Sequence, residues 1–179
     1  VKAKARLASG LLTNKFDDHE AESQRHTQTT SLASAYSITI TSVSVLDVPS
    51  AHLMKKNSLQ AICVCTGANA GVDPSGLALA ATEPVEFISE VMSSCGESAN
   101  WTGLSWVFPL IYGKRRQFIS IKLSSGSKAI SSWEIKADEL YLASLQEKPG
   151  AIVRKFADMR EGATFVGKIK LVYTTECLS

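Results

Sequence analysis

Three histidines, His19, His26 and His52, and four cysteines, Cys63, Cys65, Cys95 and Cys177, are the residues of this chain best suited to nucleophilic or metal chemistry. Their spacing does not gather them. Cys63 and Cys65 are two apart in an apolar run, which on a strand puts both thiols on one face without letting them bridge. Structural zinc sites favour Cys-x-x-Cys or paired Cys/His spacings, and Cys-x-Cys with two distant partners fits poorly. The four thiols read as free, in a reducing compartment. A dyad of His52 with Cys63 or Cys65 is the one nucleophilic pairing left open, against the usual inertness of buried strand cysteines. No His-Glu-x-x-His, Gly-x-Ser-x-Gly, Walker or Gly-x-Gly-x-x-Gly pattern occurs. The chain therefore reads as non-catalytic, with no metal and no cofactor. Asn100-Trp101-Thr102 is a formal glycosylation sequon, a pattern that carries nothing in a cytoplasmic chain.

Two short stretches suit binding instead. Leu53-Met54-Lys55-Lys56 sets two apolar side chains beside two ammonium groups. Apolar tips that insert and cations that meet anionic phospholipid make a peripheral membrane contact. The same four residues suit a protein contact, or a solvated loop whose Leu and Met fold back onto the core. Lys114-Arg115-Arg116 is the one dense basic cluster. It suits an acidic partner surface or simple solvation. Three cations give only a shallow, salt-dependent hold on nucleic acid, and a net charge of +2 over 179 residues argues against such a partner. Trp106 and Phe108 alternate onto one strand face and read as core, while Trp101 is placed in a turn.

The elements that must position these residues are short and extended. Residues 1–35 are rich in Ser, Thr, Gln and charge, cannot bury enough apolar surface to offset their ordering entropy, and read as an extended or disordered polar arm. Their apolar run stops at Leu11-Leu12, too short for a secretory signal. No window reaches the roughly 18 apolar residues of a membrane-spanning helix. Residues 36–179 make the domain. SITITSVSVLDV alternates β-branched and polar residues and predicts a strand with a bulge at Thr41-Ser42. LQAICVCTG, VEFISEVM, LSWVFPLIY, QFISIKL, ISSWEIK and FVGKIKLVYT supply further strands. FADMREGAT reads as a polar connection, SSGSKA as a turn, and ADELYLASLQ as one or two helical turns. The Ala/Gly-rich insert 66–82 reads as a long loop or short hairpin, with Val72, Leu77 and Leu79 as a docking patch or a cover for one end of the domain. The expected class is all-β, an antiparallel eight-stranded sandwich.

The order of these pieces resembles the C2 domain family. Leu46-Asp47-Val48-Pro49 is similar to the turn that ends the family's opening strand. NWTGLSWVFPL is similar to its Asn-x-x-Trp strand, FISIKL to the strand after it, ISSWEIKADEL to the following segment, and VGKIKLVY to its closing Gly-x-Ile-x-Leu-x-Tyr strand. The resemblance spans about Tyr36 to Thr174 and implies a C2-like β-sandwich. It also implies where calcium would sit, and the residues depart there. Asn57-Ser58-Leu59 stands at the first-loop position of the family's Asp-Pro-Tyr, and Ser124-Ser125-Gly126-Ser127 at the third-loop Asp-x-Asp. Calcium takes six to eight oxygens, many of them carboxylate, so no calcium site is expected. The resemblance places Leu53–Lys56 at the tip of the first apical loop and Lys114–Arg116 at the opposite end.

The leading expectation is a non-catalytic, calcium-independent C2-like scaffolding module with protein partners in a larger cytoplasmic assembly, membrane-associated or cytoskeletal. A peripheral module binding anionic phospholipid is the alternative. An unrelated jelly-roll or capsid-like structural subunit is the third reading.

Overall fold

Period-two alternation is strongest in the first and last strands of the domain, and these two pair at its centre. The structure is a computed structural model. It describes residues 35–72, 78–80, 84–161 and 163–178, with backbone alone for 69–72 and 78–80. Strand β1, Ala35–Leu46, turns Tyr36, Ile38, Ile40, Val43 and Val45 inward, all fully buried. The inward set changes from even to odd numbers because a bulge between Ile40 and Ser42 inserts one residue. The bulge falls where the sequence places it.

β2 spans Leu59–Thr66, β3 Asn69–Val72, β4 Ala78–Ala80, β5 Val85–Ile88, β6 Ala99–Ile111, β7 Phe118–Ser125, β8 Lys128–Lys136, β9 Val153–Glu161 and β10 Thr164–Cys177. One helix, α1, Ala137–Ser144, follows β8. Eight strands form two antiparallel four-stranded sheets, ordered β6-β1-β10-β9 and β5-β2-β7-β8, while β3 and β4 pair with each other. The sheets face each other across one hydrophobic core that includes Trp101, Phe108, Ile119, Ile121, Leu171 and Tyr173. The all-β antiparallel sandwich is therefore the fold.

Three local readings are corrected. FADMREGAT is largely strand: β9 forms a hairpin with β10 at the sheet edge. Its inward positions include Lys155, and only Met159 is fully buried, so its apolar signal is diluted. VEFISEVM leaves the ladder after Ile88, where the Ser89 hydroxyl accepts from Ala61 N at 2.9 Å. Trp101 lies in β6 and not in a turn, 1% exposed, and its indole N–H donates to the Glu90 carbonyl at 2.9 Å. The insert 66–82 contains the β3–β4 hairpin. Leu77 and the side chains of Val72 and Leu79 lie outside the described residues, as does the arm apart from Ala35.

Candidate functional site

Strand direction sorts the connections into two ends. Register places Leu46 of β1 opposite Lys168 of β10, and Leu59 of β2 opposite Ser125 of β7. The connections 47–58, 89–98 and 126–127 therefore share an apical end. The connections 112–117 and 137–152, with α1, share the basal end.

The first apical connection is pinned at its base and free at its tip. Asp47 adopts a positive φ of 56°, a conformation that Asp tolerates better than most residues. Val48 then returns to the core, fully buried, and its N–H donates to the Glu97 carbonyl at 2.9 Å. Asn57 is 1% exposed: its Oδ1 accepts from Ala51 N at 2.8 Å and its Nδ2 donates to Pro49 O at 3.0 Å. Lys128 Nζ donates to Ala51 O at 2.9 Å. His52 meets Ser125 Oγ at 3.3 Å, and Ser125 Oγ also accepts from Ser58 N. Between these anchors Leu53 is 104% and Met54 95% exposed, with Lys55 and Lys56 exposed beside them. Leu53 and Met54 do not fold back onto the core. A groove of about 580 Å³ behind the tip is lined by His52, Lys55, Lys56 and, opposite, Glu97.

The positions where the C2 resemblance would place calcium ligands are already engaged. The Asn57 amide holds its own loop, and the buried Ser125 hydroxyl holds Ser58 and His52. The expected third loop is a two-residue turn, Gly126-Ser127, because β7 runs through Ser125 and β8 starts at Lys128. Asp47 reaches Lys168 at 3.8 Å. Among the described residues, no three His, Cys, Asp or Glu side chains cluster as a metal site would need. Neutral groups engaged within the 47–58 loop do not fit a divalent ion that wants carboxylates.

The other candidates separate. Lys114, Arg115 and Arg116 are exposed in the β6–β7 turn at the basal end, so the two basic stretches do not share one surface. Cys63 and Cys65 are fully buried in β2, while His52 turns to Ser125. Burial, reinforced by Cys65, pushes the Cys63 thiol well above its ordinary value, and burial pushes Cys65 up to about 12. Protonated thiols of this kind are poor nucleophiles, so the His–Cys dyad is not formed.

A basal cluster escaped the sequence reading. Tyr36 stacks on Tyr141 at 4.1 Å and its hydroxyl donates to Asp138 Oδ1 at 2.9 Å, while Asp138 Oδ2 accepts from Gly113 N at 3.0 Å. This ties α1 to the start of β1 and to the β6–β7 turn. No local pattern signals contacts that span about a hundred residues.

No family model matches the sequence, and no curated protein matches it. Solved structures do match. A C2 domain of plant extended synaptotagmin 1 aligns over 82% of this chain and 97% of its own, at 7% identity and a TM-score of 0.50. The chain has a C2 fold. Human GIVD cytosolic phospholipase A2, solved with methyl gamma-linolenyl fluorophosphonate, aligns over 80% of this chain but 17% of its own, at 11% identity and a TM-score of 0.51. The likeness is to the C2 portion of that protein. No helix among the described residues is long and apolar enough to cross a membrane.

Proposed function

We propose that this C2 module is non-catalytic and docks, without calcium, on an anionic membrane surface through Leu53, Met54, Lys55 and Lys56. The observation that carries the reading is the complete exposure of Leu53 and Met54 at a loop tip whose base is pinned by Asn57 and Lys128. A pinned loop loses little further entropy on docking. Burying one Leu or Met side chain contributes about 1.5–3 kcal/mol, and each lysine near an anionic leaflet about 1 kcal/mol. The sum, about 5–8 kcal/mol, corresponds to reversible docking in the micromolar-to-millimolar range.

Docking of that strength gains from a second tether, which supports a scaffolding role in a larger cytoplasmic assembly as the second reading. Its specific observation is the basal end, where Leu142, Leu145 and Ile152 are exposed at 44%, 56% and 57%. Protein partners would meet that end while the apical loop faces lipid, and the basic turn Lys114–Arg116 adds charge for an acidic partner.

The test is co-sedimentation with vesicles containing phosphatidylserine, with calcium and with chelator. Equal binding in both, weakening as salt rises, supports the reading. Binding that requires calcium, or no binding, overturns it. The K55E/K56E double variant is expected to abolish sedimentation, and the L53S/M54S double variant to reduce it at least tenfold, given about 3 kcal/mol of lost insertion.

A further inference from the structure

A larger groove lies away from the Leu53–Lys56 loop, on the outer face of the β6-β1-β10-β9 sheet near its apical end. Its volume is about 760 Å³, within the roughly 300–1,000 Å³ of small-molecule sites. Register lays out its floor. Ser44 of β1 stands between Asn100 of β6 and Lys170 of β10, and Lys170 is paired in turn with Phe156 of β9. Four strands at about 4.8 Å spacing give it a run of about 14 Å across the sheet. Leu46, Met92 and Phe156 supply apolar walls, with Leu46 54% and Phe156 68% exposed.

The charges in and around the groove are nearly all matched. Asp47 reaches Lys168, and Asp158 reaches Arg160, each at 3.8 Å. Lys170 has no such carboxylate partner among the described residues, and its Nζ sits 6.0 Å from the centre of the Phe156 ring. Asn100 Oδ1 accepts from the Ser44 hydroxyl at 2.7 Å and from that of Ser42 at 3.5 Å. That orientation leaves the Asn100 amide N–H groups as donors. One unmatched cation, one amide donor and an apolar trough match an amphiphile with a single negative head.

We propose that this groove binds a free long-chain carboxylate of the fatty-acid class. Lys170 and the Asn100 amide hold the carboxylate, and the chain lies along Leu46, Met92 and Phe156. A polyphosphorylated headgroup would need several unmatched cations, and a cationic amphiphile would meet Lys170 head on. None of these residues belongs to the Leu53–Lys56 loop, so this site stands or falls separately from the membrane reading.

The test is a fluorescence titration of the chain with dansyl-undecanoate in vesicle-free buffer, with displacement by dodecanoate, dodecanol and dodecylamine. Saturable binding is expected, with dodecanoate displacing the probe at least about tenfold better than dodecanol, the worth of one charge-assisted contact. Dodecylamine is expected not to compete. K170Q should remove the preference for dodecanoate over dodecanol, and F156S should weaken both. Circular dichroism melts of the two variants verify that they fold. K55E/K56E should leave every curve unchanged even where vesicle binding is lost. Absence of saturation, equal affinity for dodecanoate and dodecanol, or an unaltered K170Q curve overturns the proposal.

Discussion

Cys63 and Cys65 project from β2 into the core with no exposure, and burial raises both thiols above their ordinary value of 9.0. The folded state therefore holds these protons more tightly than the unfolded chain does. For groups raised in this way, stability is full below the unfolded value and is lost as pH climbs toward the folded one. Unfolding free energy is expected to be level below about pH 8 and to fall above about pH 9, by up to about 1.4 kcal/mol per pH unit for each thiol. A urea series across that range checks it, and an unchanged midpoint above pH 9 refutes it. In the native state iodoacetamide should label exposed Cys177 and spare Cys63 and Cys65, which mass spectrometry reads directly. Asn57 gives a second prediction at this scale. Asn57→Ala removes two hydrogen bonds from a buried position, for an expected loss of about 1–3 kcal/mol. Because these bonds hold the base of the docking loop, faster amide exchange should be confined to residues 47–58. Uniform exchange throughout the chain would contradict that local role.

At the scale of elements, the bulge in β1 was legible because a period of two that slips by one residue leaves a mark in the sequence itself. The edge strand β9 was not. A strand at a sandwich margin needs only half-covered inward positions, so Lys155 can sit among them and erase the alternation. Trp101 was misread for a related reason: Thr102 and Gly103 look like a turn, but Gly103, at φ 68°, lies in an irregular stretch where three β6 residues oppose Thr41 of β1. The indole N–H of Trp101 then links β6 to the 89–98 connection. Trp101→Phe keeps most of the apolar volume and removes one of the two donors to the Glu90 carbonyl, leaving the Ser89 hydroxyl at 2.8 Å, for an expected cost of about 0.5–1.5 kcal/mol. A thermal melt measures it, and a change within a few tenths of a kcal/mol would show the link to be idle. Gly67 marks another tight joint. Its φ is 69°, and an added Cβ would lie 2.6 Å from the Arg116 carbonyl. Gly67→Ala should therefore destabilise the basal end beyond the usual cost of an Ala at positive φ, lowering the melting temperature, whereas Gly126→Ala meets open space and carries only the φ cost.

Across the whole molecule, the ends and the faces do different things. The apical tip offers two apolar side chains and two lysines, the basal end offers a basic turn and exposed aliphatics, and the outer face of one sheet carries an amphipathic groove. An apical-only membrane contact predicts that K114E/R115E/R116E leaves vesicle sedimentation unchanged, since that turn points away from a bilayer touched by Leu53 and Met54. If the triple variant lost vesicle binding as completely as K55E/K56E, the module would have to lie along its long side. That would exclude a tip-down orientation.

The sequence by itself determined the strand content, the bulge, the shared face of Cys63 and Cys65, and the order of pieces that resembles a C2 domain. Each of these is written in neighbouring residues, where alternation and turn chemistry act over short spans. Tertiary structure alone decided that Leu53 and Met54 stand clear of the core, that Asn57 and Ser125 are both spent on the 47–58 loop, and that Lys170 has no carboxylate partner among the described residues. Those facts depend on which distant strands become neighbours. The register that makes Ser44 the link between Asn100 and Lys170 joins residues more than fifty positions apart, and no local pattern carries such a distance.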